Sequence, residues 1–270
     1  MSTVTDSDEA LGLTLGEHLR ELRSRLVRAA LGVIVATASV WNFYPSIFSV
    51  IRRPFEDIHA SHPTAVLALT GITSGFSLQL RVSLAAGFAI SSPIWLFQLW
   101  RFIAPGLHKH ERKWAYIYSA VAAPLFLGGI ALAYYVMPQM LNVLYAFTPS
   151  DVSNVTSVDS YLTFFLQLAL FFGLGFLLPI VVVMLNAVGL LSGSRLISSW
   201  RWIILGAFVF GAVATPSGDP IGMTVIAIPM ILLMLIAVGV ALLNDKRRER
   251  RLSRSGTAQW QDDELSPIDE

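Results

Sequence analysis

The chain contains no cysteine, which excludes a disulfide framework, a thiolate metal site and a cysteine nucleophile, and leaves the redox compartment unmarked. Charge is scarce as well. Asp, Glu, Lys and Arg make up 14% of the residues, against about 25% in an ordinary soluble domain. Also missing are the Gly-rich Lys-Ser/Thr loop of a nucleotide site, the His-Glu-x-x-His zinc helix and the Gly-x-Ser-x-Gly elbow. No enzyme and no cofactor is therefore expected, and any work must draw on another source of energy. The net charge of +1 comes from basic residues gathered in short segments rather than spread over a face, which argues against a nucleic-acid partner.

What fills the chain is apolar: 54% of residues are hydrophobic and the mean hydropathy is +0.63, the composition of a polytopic membrane protein. A bilayer core about 30 Å thick asks for about 20 apolar residues per helix, and lipid admits only helices or closed barrels. Six runs come near that length, at residues 26–43, 77–99, 114–136, 161–188, 202–214 and 221–243. The predicted fold is all-α, with six transmembrane helices. Only 13 residues separate Arg201 from Thr215, too few for an upright span, and Pro216, Gly218 and Pro220 break the chain before the sixth run. The fifth and sixth runs read as short spans in a helical hairpin that thins the bilayer locally.

Orientation follows from Lys and Arg near the span ends. With the N-terminus inside, sixteen basic residues fall on the cytoplasmic side and only Arg52, Arg53 and Arg81 on the other, so both termini are expected in the cytoplasm. The first run imitates a secretory signal, with Ala36-Thr37-Ala38 as a cleavage-like triplet. Its lead carries Glu17 and Glu21 and its apolar stretch continues to Trp41 and Phe43, so an uncleaved span is expected. The chain thus divides into residues 1–25, a cytoplasmic segment with an amphipathic helix; 26–243, the six-span membrane domain; and 244–270, a disordered cytoplasmic tail. Residues 45–76 form a first external loop, with Ile47, Val50, Ile51, Phe55 and Ile58 spaced for a short amphipathic helix interrupted near Pro54. Residues 138–160 form a second.

Two charged islands stand out of this apolar background. In the first, Leu15, Leu19, Leu22 and Leu26 share one helical face, and Glu21 with Arg25 makes an i, i+4 pair whose plain reading is a few tenths of a kcal/mol of helix support. In the second, Pro105 and Gly106 break the chain, and Glu111 is the one acid among His108, Lys109, His110, Arg112 and Lys113. A carboxylate at a membrane surface suits a guanidinium, which offers two parallel hydrogen bonds where an ammonium cannot. Glu21 and Glu111 would suit two guanidinia. The histidines lack the spacing and acidic companions of a metal site. Within the runs the polar residues are few: Arg81, Gln98 and Gln167, with Asp219 in the turn before the sixth. They leave open an alternative, a proton-coupled small-solute secondary transporter relaying through Glu111 and Asp219, and a third reading, a structural membrane scaffold.

The string His18-Leu-Arg-Glu21-Leu-Arg23-Ser-Arg25-Leu26, then Ser91-Ser-Pro93 with Gln98-Leu-Trp100, then Phe102-Ile-Ala-Pro105-Gly-Leu-His-Lys-His-Glu111-Arg, and finally Ala214-Thr-Pro216 to Asp219 with Ala227-Ile-Pro229, resembles the TatC family. These are the polytopic receptors of the twin-arginine protein translocase, and the resemblance runs in order over residues 15–243. It implies a concave six-span bundle in the cell membrane. Such a bundle binds Arg-Arg signal peptides of folded precursor proteins on its cytoplasmic side and recruits TatA and, where present, TatB, together with other copies of itself and membrane lipid. Transport would use the proton motive force. By the same resemblance Glu21 and Glu111 read the signal arginines, Arg23 and Phe102 belong to the signal-contacting surface, Pro54 supports the external cap, and Asp219 acts after recognition. Thr215 is retained near a partner-docking position where Met223 replaces a more usual Gln. Many members carry a Glu facing the concave pocket where this chain has Leu177, and Gln167 lies too far around the helix to replace it.

Overall fold

The computed structural model describes residues 5–59, 65–103, 112–149, 154–215 and 218–254. Each of the six apolar runs is helical, as backbone without water to bond must be. Helix α1 (Thr5–Val40) joins the first charged island and the first run in one rod. A single 3₁₀ turn at Trp41–Phe43 leads into α2 (Tyr44–His59). The expected interruption near Pro54 does not occur, because α2 runs through that residue. A proline inside a helix loses one backbone bond and pushes open the turn before it. In that turn the Ile51 carbonyl accepts the Tyr161 hydroxyl at 2.6 Å, and Pro54 is buried beside Ile51, Phe55 and Ile58. Packing, which no local pattern reveals, outweighs the lost bond.

The second run is two helices, α3 (Ser74–Ile90) and α4 (Ser92–Ile103), meeting at 58°. Pro93 explains the bend: it has no N–H to donate, and it disfavours helical geometry at Ser92 before it. The Phe88 carbonyl at the break accepts from Ser91 Oγ at 3.2 Å and from Trp95 Nε1 at 3.0 Å, so side chains satisfy what the ladder releases.

Helices α5 (Arg112–Tyr145) and α6 (Val158–Ala187) form the central pair. Their backbones touch at Gly129, where a Cβ would sit 2.6 Å from the Phe172 carbonyl oxygen, a small-residue approach of the kind that lets membrane helices pack without hydrophobic driving force. One end of the pair packs Phe55, Met137, Leu162 and Phe172. The other end packs Leu96, Trp100, Phe126 and Leu177. Because α5 carries on through Pro138 to Tyr145, the second loop begins later than the apolar pattern predicts.

The two loops read as external are tied together. Strand β1 (Val66–Ala68) pairs in parallel with β2 (Val155–Ser157), Val66 opposite Val155. Three-residue strands have no alternation to read, so this pairing was invisible in the sequence. The last residue of β2 then caps α6, Ser157 Oγ accepting from the Ser160 N–H at 3.1 Å.

After α6 come α7 (Gly193–Ser198), α8 (Trp200–Ala214) and α9 (Pro220–Arg254). Of the two runs expected to be short, α8 has 15 residues, whereas the sixth run lies inside α9, which has 35. Helix continues from Asn244 to Arg254, into the stretch read as tail; residues 255–270 lie outside those described. Among the described residues four helical stretches are long and apolar enough to cross a membrane, or five if the bent pair α3–α4 is one span, with α8 as a shorter apolar helix. Large side chains such as Ile34, Leu232 and Ile236 are more than half exposed, the surface of a protein solvated by lipid.

Candidate functional site

The first charged island sits where α1 lies against α4. Helices α1 and α4 are in contact, and a Cβ on Gly32 would be 3.0 Å from the Ile94 side chain. Eight residues along α4 from Ile94 is Phe102, and eight residues back along α1 from Gly32 is Ser24. Gly87 of α3 lies against Thr37, further along α1, so the second run passes α1 in the antiparallel sense. At 1.5 Å rise per residue Phe102 and Ser24 are each about 12 Å from the Gly32–Ile94 contact, and Phe102 and the Glu21–Arg25 turn share one end of the helix pair. Glu21 is half-buried, Arg23 exposed and Phe102 half-buried. Arg25 forms an ion pair with Glu21 through Nη2 and Oε1 and is only 8% exposed. Glu111, with Pro105, His108 and His110, lies outside the described residues.

Away from Phe102, on the α2 side of the α3–α4 break, a groove of about 880 Å³ opens between α2, α3, α5 and α6. Its wall is apolar, built from side chains such as Val50, Ala86, Phe126, Ile130 and Ala169, and Arg81 is its one charged lining residue among those described. Arg81 is held at the rim by Thr163 Oγ1 at 3.4 Å and Asp159 Oδ1 at 3.9 Å. Leu177 is buried with Leu96 and Trp100 of α4, at the α4 end of α5 and α6, and Gln167 is exposed. No acid lines the groove among the described residues.

Thr215, Asp219 and Met223 are brought together by the α8–α9 turn. Thr215, 4% exposed, closes α8 by donating its hydroxyl to the Gly211 carbonyl at 2.9 Å. Gly218 takes a positive φ of 61°, and Asp219 Oδ1 accepts from the Gly222 N–H at 2.5 Å. With Pro220 as the first helical residue, Asp219 is an N-cap bonded to the third residue of α9. Gly211 lies against the Met223 backbone, where a Cβ would be 2.7 Å from the Met223 carbonyl oxygen, and Gly222 is enclosed by Asp219, Thr215 and Met140 of α5. Pro54 is placed apart from both clusters, in the buried face of α2.

A third cluster went unread in the sequence. Asp245 in α9 accepts from Asn186 Nδ2 at 2.7 Å and from the Gly193 N–H at 2.6 Å, and Asn244 donates to Asn186 Oδ1 at 3.0 Å. This clamps the start of α7 and the end of α6 to α9. The signal that pointed to it is Asn186, a polar residue inside an apolar run, facing Asn244-Asp245 at the end of another.

Residues 17–229 match the family model for TatC, Sec-independent protein translocase protein. The chain is 39% identical to the Sec-independent protein translocase protein TatC of Frankia casuarinae, over 99% of this chain and 75% of that protein. It is 37% identical to the TatC of Xylanimonas cellulosilytica over 88% of this chain and 87% of that one, and 34% identical to the TatC of Aquifex aeolicus over 88% and 98%. A crystal structure of the twin arginine translocase receptor TatC in DDM superposes with a TM-score of 0.72 at 32% identity, covering 83% of this chain and 99% of that one.

Proposed function

Because the chain belongs to the TatC family of Sec-independent protein translocase components and is an integral membrane protein, we propose that it is the receptor subunit for twin-arginine signal peptides. In this reading it has six spans in the cell membrane with both termini in the cytoplasm. Glu21 and Glu111 read the two arginines, with Arg23 and Phe102 beside them. The observation that carries the reading is the neighbourhood of a half-buried carboxylate, Glu21, and the end of α4 that leads toward Glu111.

A signal peptide presents two guanidinia and then an apolar stretch. The acids at the α1–α4 end suit the first, since charge-assisted hydrogen bonds contribute about 1.5–3 kcal/mol each and a lysine loses the second prong. The apolar groove between α2, α3, α5 and α6 suits the second. TatA and TatB would then dock on the membrane face of α8 and α9 near Thr215 and Met223, other copies of the chain would complete the assembly, and the proton motive force would drive export of the folded precursor.

The test is binding of a twin-arginine signal peptide and its twin-lysine variant to the purified protein and to Glu21→Gln and Glu111→Gln. Preference for arginine that drops at least tenfold in each variant supports the reading. Equal binding of both peptides by all three proteins refutes it.

A further inference from the structure

Before any ligand arrives, Glu21 is engaged by a guanidinium of its own chain. Arg25, one turn along α1, donates through Nη2 to Glu21 Oε1. Arginine is almost never this deeply buried unless well paired, yet Arg25 is 8% exposed and its other terminal nitrogen, Nη1, is buried with no hydrogen-bond partner. The guanidinium therefore reaches the carboxylate with one arm of its fork, because a partner four residues away on the same helix is tethered to one side of it. An arginine on a separate peptide has no such tether and can approach with both arms.

We infer that Arg25 is an internal stand-in for the ligand guanidinium, holding Glu21 in a resting pair that an incoming arginine must displace. The inference rests on the reading of Glu21 as a ligand-reading acid. The resting pair keeps the carboxylate oriented and screens it from casual cations, including the exposed Arg20 and Arg23 on the same helix. It also lowers the affinity for every cationic peptide by the fraction of time the acid is occupied, as any equilibrium between competent and incompetent states does. Removing the competitor therefore raises affinity for arginine and lysine peptides by the same factor. The ratio between them, set by the geometry of the acid and the ligand, stays as it was. A residue that touched the peptide would change that ratio.

The experiment measures binding of the twin-arginine and twin-lysine peptides to the full chain as wild type, Glu21→Gln, Arg25→Gln and Arg25→Lys. Arg25→Gln is expected to bind both peptides about fivefold more tightly, the scale of one partly screened ion pair, with an unchanged ratio. Arg25→Lys, which restores the charge, is expected to stay within about twofold of wild type on the same scale. Collapse of binding in Glu21→Gln with no gain in Arg25→Gln, or with an altered ratio, overturns the stand-in while leaving the receptor reading intact. Wild-type binding in Glu21→Gln overturns the role of Glu21 and the stand-in with it. Should Arg25→Gln fail to fold, side-chain nitrogen resonances of Arg25 in the wild type decide the matter. They move to the position of an unpaired guanidinium when the twin-arginine peptide is added, and an unmoved signal at saturation overturns the inference.

Discussion

Asp219 shows how a residue marked by resemblance also has a structural duty. Its carboxylate caps α9 through the Gly222 N–H, and loss of a cap costs about 1 kcal/mol. Asp219→Ala is expected to lower the thermal midpoint of the purified protein, and Asp219→Asn, which can cap equally well, to restore it. Transport that stays lost in the Asn variant then belongs to the charge and not to the cap. Tyr161 is a purer case. Tyr161→Phe removes only the hydroxyl that serves the Ile51 carbonyl and should cost about 1 kcal/mol, read as a lower denaturation midpoint with peptide binding retained. The turn at Thr215–Asp219 was legible in advance because Pro216, Gly218 and Pro220 punctuate it locally. The helical course of α2 through Pro54 was not, since it rests on packing against side chains about a hundred residues further along the chain, Tyr161 among them.

At the scale of elements, the clamp between Asn186, Asp245 and the Gly193 N–H is what holds α7 and the polar end of α9 in place. Asn186 is 2% exposed, so Asp245→Ala leaves a buried amide short of a partner at a cost of about 1–3 kcal/mol. The expected outcome is faster proteolysis in the stretch from Asn244 to Arg254, with Asn244→Ala showing a smaller effect. The existence of the helices was legible because each spends a long apolar run on lipid or core. Their ends were not: α5 and α9 continue past their apolar parts, since a helix can end wherever backbone bonds and caps allow, in polar sequence as well as apolar. The bend at Ser91 had its signal in Pro93, but hydropathy alone reads straight through it.

At the scale of the molecule, α8 stands apart from the long apolar helices by being too short to cross a bilayer upright. A helix of 15 residues spans about 22 Å at 1.5 Å per residue, less than the hydrocarbon core. If that edge thins the bilayer for the partners in the proposed assembly, four added leucines should abolish export while leaving signal-peptide binding unchanged; export at the normal rate in that variant would refute the idea. The groove between α2, α3, α5 and α6 belongs to this scale too, and no sequence pattern announces it, because it is made by four helices that only the fold brings together. So does the pairing of β1 with β2. Val66 and Val155 are 89 positions apart (155 minus 66), and at about 5–20 residues per second of synthesis β1 waits roughly 4–18 seconds for its partner. Through that interval β1 has no partner strand, and because α3, α4 and α5 lie between the two strands in the chain, the strap closes only after all three have been made.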